Sequence, residues 1–99
     1  MIIVLGSVTV REEALEQAVA ISHTHVQRSR GEAGCISHAV HIDGENPNRL
    51  KFVEQWQDMA SLEKHFQVPE SGEFVQAMAK LAIVAPELKI YQANEITRH

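Results

Sequence analysis

The sequence predicts an α+β fold, a ferredoxin-like βαββαβ unit whose four-stranded antiparallel sheet carries its helices on one face. Three observations carry this reading. A β-branched run opens the chain and gives way to a long stretch of helical spacing. Two strand-like runs then flank a turn cluster, GENPN, and so form a hairpin. A broken helical stretch leads into a last strand-like run. Ninety-nine residues suit a single domain spanning 1–99.

Residues 2–10 (IIVLGSVTV) form the first strand. Ile2, Val4, Val8 and Val10 fall on one face and Ile3 and Leu5 on the other, as a period of two requires. Residues 12–29 switch to helical spacing through Leu15, Ala18, Val19, Ser22 and Val26, with Ala14, Ile21 and His25 widening the stripe. Glu12 and Glu13 at its start and Arg28 and Arg30 at its end complement the helix dipole. Gly31 and Gly34 stop it. Residues 35–43 (CISHAVHID) and 49–57 (RLKFVEQWQ) are the second and third strands. The Asp58 carboxylate caps a short helix over 59–66. VPESGE reads as a break, and Phe74, Met78 and Leu81 space a further helical piece that Pro86 ends. Residues 87–96 (ELKIYQANEI) close the sheet.

The second sheet face carries Ile3, Leu5, Cys35, Ala39, Val53, Tyr91 and Ala93 and has no helix left to cover it. A second copy of the chain is the simplest cover, so a homodimer through the open sheet face is expected.

The composition excludes several function classes. The chain is 44% hydrophobic and 22% charged, with a formal net charge of −4. Its nine Lys and Arg residues are scattered and do not interleave with aromatics, so no nucleic-acid partner is expected. Cys35 is alone and can make neither an internal disulfide nor a cysteine metal framework. The opening apolar run has no basic flank and is about half of the roughly 20 residues that a bilayer span needs. No membrane association and a cytoplasmic location are the expectations.

Six histidines raise the question of a metal, and their spacing argues against one. His23 and His25, two apart on a helix, diverge by about 200°. His38 and His41, three apart on a strand, face opposite sides. No HExxH motif is present. No metal is expected, with His23 and His99 at the surface and His25 at the edge of the core. His65 shares the inward stripe of the short helix with Leu62, next to Phe66. Phe52, Glu54 and Trp56 alternate along the third strand and share one face. A buried carboxyl there needs a partner or a proton. A carboxyl, an indole and an imidazole at one apolar cavity can bind a planar phenol, with the indole as a flat wall and the imidazole exchanging its proton. The same three residues also make a packing set that holds the hairpin against the short helix, and the residues alone leave both readings open.

The stretch EAGCISHAVHID, followed by FVEQWQDMASLEKHF and a Phe-containing helix, resembles the antibiotic biosynthesis monooxygenase (ABM) domain family. The matching positions are Glu32, Gly34 and Cys35 before the second strand, Glu54 and Trp56 on the third, and His65 on the following helix. The order of elements matches over about residues 2–96. The resemblance implies a dimeric α+β barrel with a pocket between sheet and helices in each subunit. Several members of the family oxidise quinols or polycyclic phenols without metal or flavin; others act on haem or isomerise small sugar-derived signals. Haem-degrading members carry an Asn on the first strand, which IIVLGSVTV lacks. Oxygenases of polycyclic phenols carry Asn and Tyr near the Trp, where this chain has Phe52 and Leu62.

The resemblance therefore implies a cofactor-independent monooxygenase of a quinol-like or phenolic small molecule. His65 would be its proton-transfer group. Glu54 would orient the imidazole or pair with Arg49 or Lys51. Trp56, Phe52, Phe66, Phe74 and Met78 would form the substrate-binding walls, with Trp56 and Phe74 sandwiching the ring and His38 or His41 at the mouth. The competing readings are an isomerase of a small oxygenated metabolite and a non-catalytic small-ligand-binding module of the same fold.

Overall fold

The computed structural model describes residues 1–98. Along the chain run β1 (Ile2–Thr9), a single 3₁₀ turn (Glu12–Ala14), α1 (Leu15–Ser29), β2 (Cys35–Asp43), β3 (Asn46–Trp56), α2 (Met59–Gln67), α3 (Pro69–Leu81) and β4 (Glu87–Gln92). The sheet order is β2-β3-β1-β4 and every pairing is antiparallel. This is the ferredoxin-like βαββαβ arrangement, with the second helical region split in two.

The alternation read from β1 holds: Ile2, Val4, Val8 and Val10 are buried, while Leu5 is exposed. The helix-facing side of the sheet packs two apolar clusters. One joins Val8, Val10, Ala18, Val26, Leu50, Phe52, Met78 and Leu81; the other joins Ile2, Val4, Trp56 and Leu62. Along β3 the inward residues run Leu50, Phe52, Glu54, Trp56, so a carboxylate sits at the seam between the clusters. That seam is where the polar residues gather.

Three boundaries and one register differ from the sequence reading in ways that matter, each for a local reason. β3 begins at Asn46, because Asp43 pairs with Asn46 and leaves only Gly44 and Glu45 in the turn. The Asp43 side chain accepts from the Glu45 N–H at 2.9 Å and holds that turn. VPESGE is mostly helix rather than a break: Val68 alone stays extended and Pro69 opens α3. Proline's fixed φ and missing N–H cost nothing at a helix start. β4 stops at Gln92, where Ala93 exchanges hydrogen bonds with Met1 at 2.9 Å. A register shift between Cys35 and Ser37 puts Cys35 opposite Trp56, against the second cluster, and not on the open face with Ala39.

Asp58 caps α2 as the sequence indicated, accepting from the Ser61 N–H at 2.8 Å. On the far face of the sheet Leu5, Val53 and Tyr91 are 43%, 37% and 47% exposed, and no helix covers them. No helix among the described residues is long and apolar enough to cross a membrane. His23 is exposed, as anticipated, and His99 lies outside the described residues.

Candidate functional site

Gly6 opens the site. On the helix-facing side of β1 it falls between Val4 and Val8, with Phe52 opposite on β3 and Leu88 opposite on β4. The missing side chain leaves room above the sheet. There a pocket of about 530 Å³ runs under α2 and α3, and Phe52, Phe66, Phe74, Val75, Met78 and Leu88 make most of its wall. Its polar edge is His25, Glu54, His65 and Ser71.

Each polar side chain arrives from a different element. α1 brings His25 on the buried stripe Ala18, Ser22, His25, Ser29. α2 brings His65 one turn after Leu62, and both are buried. β3 brings Glu54. β2 brings His38, which pairs with Glu54 across the ladder. The same register shift lets Cys35 and His38, three apart, face one side together; a regular strand would split them.

The contacts tie these groups into two linked units. Trp56 donates its Nε1–H to Glu54 Oε1 at 2.9 Å, fully inside. His38 Nε2 lies 3.3 Å from that same oxygen, but off the line that a hydrogen bond needs, and Nδ1 has no partner among the described residues. In the second unit, Glu32 Oε1 lies 3.0 Å from His65 Nδ1, and Glu32 Oε2 accepts from Arg28 Nη1 at 2.7 Å. Arg28 Nη2 reaches both His25 Nδ1 at 3.0 Å and Ser71 Oγ at 2.9 Å. A guanidinium only donates, so His25 Nδ1 accepts and the neutral ring carries its hydrogen on Nε2. A carboxylate only accepts, so His65 donates from Nδ1, and its neutral ring offers the Nε2 lone pair.

Electrostatics sharpen the roles. Burial, then the neighbouring His38, His65 and Arg28, lower the His25 pKa to about 3, with Glu54 opposing weakly. His25 is therefore uncharged at neutral pH. Burial pushes the Glu54 carboxyl up, but contacts with His38 and the Trp56 N–H outweigh it, so its pKa falls below the ordinary value and it is ionised. Burial, Glu32 and Glu54 together raise the Cys35 thiol, so it stays protonated and is not an activated nucleophile. The His25 ring stacks on Phe74 with centroids 3.9 Å apart and planes 2° from parallel.

Of the residues singled out from sequence, His65, Glu54, Phe52, Phe66, Phe74 and Met78 border the pocket. Trp56 and His38 do not. Both are fully buried behind Glu54 and His65, so Trp56 is no sandwiching wall and His38 is not at the mouth. Glu54 does not orient His65 and pairs with neither Arg49 nor Lys51. Arg49 instead contacts Asp43 and Thr9, and Lys51 is exposed.

The sequence reading passed over His25 and Arg28 as site residues and used Glu32 only as a motif position. Arg28 and Glu32 stand four apart, the spacing of a helical ion pair, which was a usable signal. The metal question also changes. Spacing along one element correctly separated His23 from His25 and His38 from His41. It had no bearing on residues from three elements, and His25, His38 and His65 each place one possible ligand atom within 4.8 Å of the others.

The profile of the antibiotic biosynthesis monooxygenase family matches residues 1–77. The chain belongs to this family. An uncharacterised protein of Synechocystis, sll1783, is 37% identical over 94 residues, covering 95% of this chain. The chain spans about 64% of that relative's length. A structure from Deinococcus radiodurans superposes with a TM-score of 0.93 at 21% identity, covering 100% of this chain and 98% of the other. A chain solved as an antibiotic biosynthesis monooxygenase gives a TM-score of 0.89 at 20% identity, covering 96% and 100%. At these identities the structural likeness speaks for the fold, which is that of the ABM family.

Proposed function

We propose that this ABM family member is a cofactor-independent monooxygenase of a quinol-like or phenolic small molecule. One observation carries the reading: a carboxylate-held imidazole, His65 on Glu32, borders a largely apolar pocket large enough for a fused aromatic ring system. A polar metabolite would find few partners on those walls, which argues against the isomerase reading.

In this proposal the substrate lies along Phe74 and Phe52. His65 Nε2 takes the phenolic proton, and Glu32 holds the resulting imidazolium. The neutral His25 donates from Nε2 to the new oxyanion. The electron-rich anion passes one electron to O₂, and the two radicals combine into a carbon-bound peroxide. The imidazolium returns its proton to the peroxide, and loss of water, which takes the hydrogen of the attacked carbon, leaves a carbonyl, so one oxygen atom enters the product and the other leaves as water. The dry walls keep the anion from being reprotonated by solvent. Glu54, held by Trp56, keeps negative charge beside the imidazoles. In the same proposal the protein works in the cytoplasm as a homodimer, with the exposed Leu5, Val53 and Tyr91 meeting their copies on the partner.

The test is oxygen uptake by chelator-treated protein against a panel of hydroquinones and anthrols. Uptake that needs both protein and substrate supports the reading. Saturable ligand binding without oxygen consumption would overturn it in favour of a binding module.

A further inference from the structure

The three buried imidazoles carry more than proton transfer requires. His38 takes no part in the proposed chemistry, is 1% exposed, and has no well-formed hydrogen bond at either ring nitrogen. Leaving a buried polar group in that state is costly. His38 faces two further histidines and a carboxylate. We infer that His25, His38 and His65, with Glu54 beside them, form a binding site for a divalent first-row transition-metal ion.

The spacing fits. Zinc holds imidazole nitrogens at about 2.0–2.1 Å, so three rings on a tetrahedral ion have centroids roughly 5 Å apart. Here the His25–His38, His25–His65 and His38–His65 centroids are 5.3, 5.4 and 5.6 Å apart. The nitrogens themselves lie within 4.8 Å, whereas a bound ion would draw them to roughly 3.4 Å, a change within reach of small side-chain rotations. The surrounding groups fit as well. Glu32 on His65 Nδ1 is the outer carboxylate that orients a ligating histidine and turns its Nε2 inward. Glu54 places a negative charge 3.3 Å from His38 Nε2. Three imidazoles with a nearby carboxylate suit zinc and its neighbours rather than calcium or magnesium.

One contact opposes the ion. Arg28 donates to His25 Nδ1, which keeps the hydrogen on Nε2, the atom that would ligate. Binding moves that hydrogen to Nδ1 and releases Arg28, which retains Ser71 and Glu32 as partners. Arg28 thus sets the balance between a metal-free and a metal-bound pocket. An ion on His65 Nε2 occupies the atom assigned above to proton transfer, so the two states exclude one another.

Zn²⁺ affinity of the chelator-stripped protein is the test, measured by competition with a chromophoric chelator, with Co²⁺ absorption reporting the ligand geometry. One ion per chain is expected, with a tetrahedral Co²⁺ spectrum. His38→Ala should weaken binding by about tenfold or more. Arg28→Gln should tighten it, since a glutamine carbonyl can accept the hydrogen that moves to Nδ1. A variant with the exposed histidines changed, His23→Ala with His41→Ala, should bind as the native protein does. No binding by the native protein, or unchanged affinity in His38→Ala, would overturn the assignment. So would Arg28→Gln binding no more tightly than the native chain, a result that stands even if His38→Ala does not fold. These readouts need no turnover, so they stand or fall apart from the oxygenase reading.

Discussion

His65 and Glu32 stand 33 residues apart in sequence, and their side chains meet at 3.0 Å at the edge of an apolar pocket. Glu32 sits just after α1, and Arg28 holds its other oxygen in place. The carboxylate fixes the His65 tautomer and leaves the opposite nitrogen free to act on a bound ligand.

Replacing Glu32 with Gln separates orientation from packing. The amide keeps the volume but cannot stabilise an imidazolium as a carboxylate does. With an active substrate from the hydroquinone and anthrol panel, Glu32→Gln should lower kcat by about tenfold or more and leave KM near its native value. His65→Ala should lower kcat further, by about 100-fold. Equal kcat in native and Glu32→Gln protein would show that the His65–Glu32 contact is only structural.

Trp56 serves the site from behind. Its Nε1–H makes the one well-formed hydrogen bond to the buried Glu54 carboxylate among the described residues. Trp56→Phe removes the donor and leaves the charge under-satisfied, a loss of about 2–3 kcal/mol in unfolding free energy. Pairing it with Glu54→Gln should recover part of that loss, because no buried charge then lacks its partner. Urea unfolding followed by circular dichroism measures both variants without relying on tryptophan emission.

The sequence carried most of the fold because its patterns are local. Alternation along IIVLGSVTV and RLKFVEQWQ settled which face each strand buries, and Asp58 announced its own cap. What it missed depended on contacts between distant segments or on one irregular residue. VPESGE resembles a break in composition, yet Pro69 sits where a helix tolerates proline. The bulge at Cys35–Ser37 has no marker in CISHAVHID, and without it Cys35 falls on the wrong face. Half of the site was likewise readable. Glu54 and His65 stand out as polar residues on apolar stripes, and so does His25, but its link to Phe74 and Arg28 exists only in three dimensions.

The depressed His25 pKa predicts acid sensitivity in the metal-free protein. The folded ring titrates near 3, against an ordinary value of 6.5. Below about pH 6.5 the unfolded chain takes up a proton that the folded chain refuses. Stability from this group is therefore complete above that pH and is lost as the pH falls toward 3. His38, His65 and Arg28 disfavour the charged ring and Glu54 favours it, so the group titrates in the field of all four. Between about pH 7 and about pH 5 the linked loss is about 2 kcal/mol. His25→Gln should lose correspondingly less over the same interval in urea unfolding curves with chelator present. Parallel losses in the two proteins would show that His25 takes up its proton in the folded state.

Gly34 joins the motif to α2, the helix that carries His65. Its φ of +85° suits glycine, and an added Cβ would run into the Ser61 side chain. Ser61 in turn donates both its N–H and its hydroxyl to Asp58, at 2.8 and 2.7 Å, at the start of α2. Gly34→Ala should therefore cost about 1–3 kcal/mol from backbone conformation alone and displace the helix that carries His65. Ser61→Gly in the Gly34→Ala background should relieve the collision and leave the conformational part. The double-mutant cycle separates the two, and additive effects would mean that Gly34 and Ser61 do not meet.

Gly6 offers the cleanest control of pocket volume. Its φ is not positive, and a Cβ there would meet Phe52 and Leu88 at 3.5 and 3.6 Å, ordinary contact distances. The backbone thus tolerates a side chain, and a β-branched one suits a central strand better than glycine does. Gly6→Val should fold with native or slightly higher stability while its two methyl groups project into the space beneath α3. Binding of a flat apolar dye such as anilinonaphthalene sulfonate, followed by its fluorescence, should weaken by about tenfold, on the reasoning that roughly two methyl volumes are no longer available to the ligand. Undiminished dye binding, with the thermal midpoint unchanged, would place the ligand elsewhere than against β1 and would move the search to the edge formed by β4.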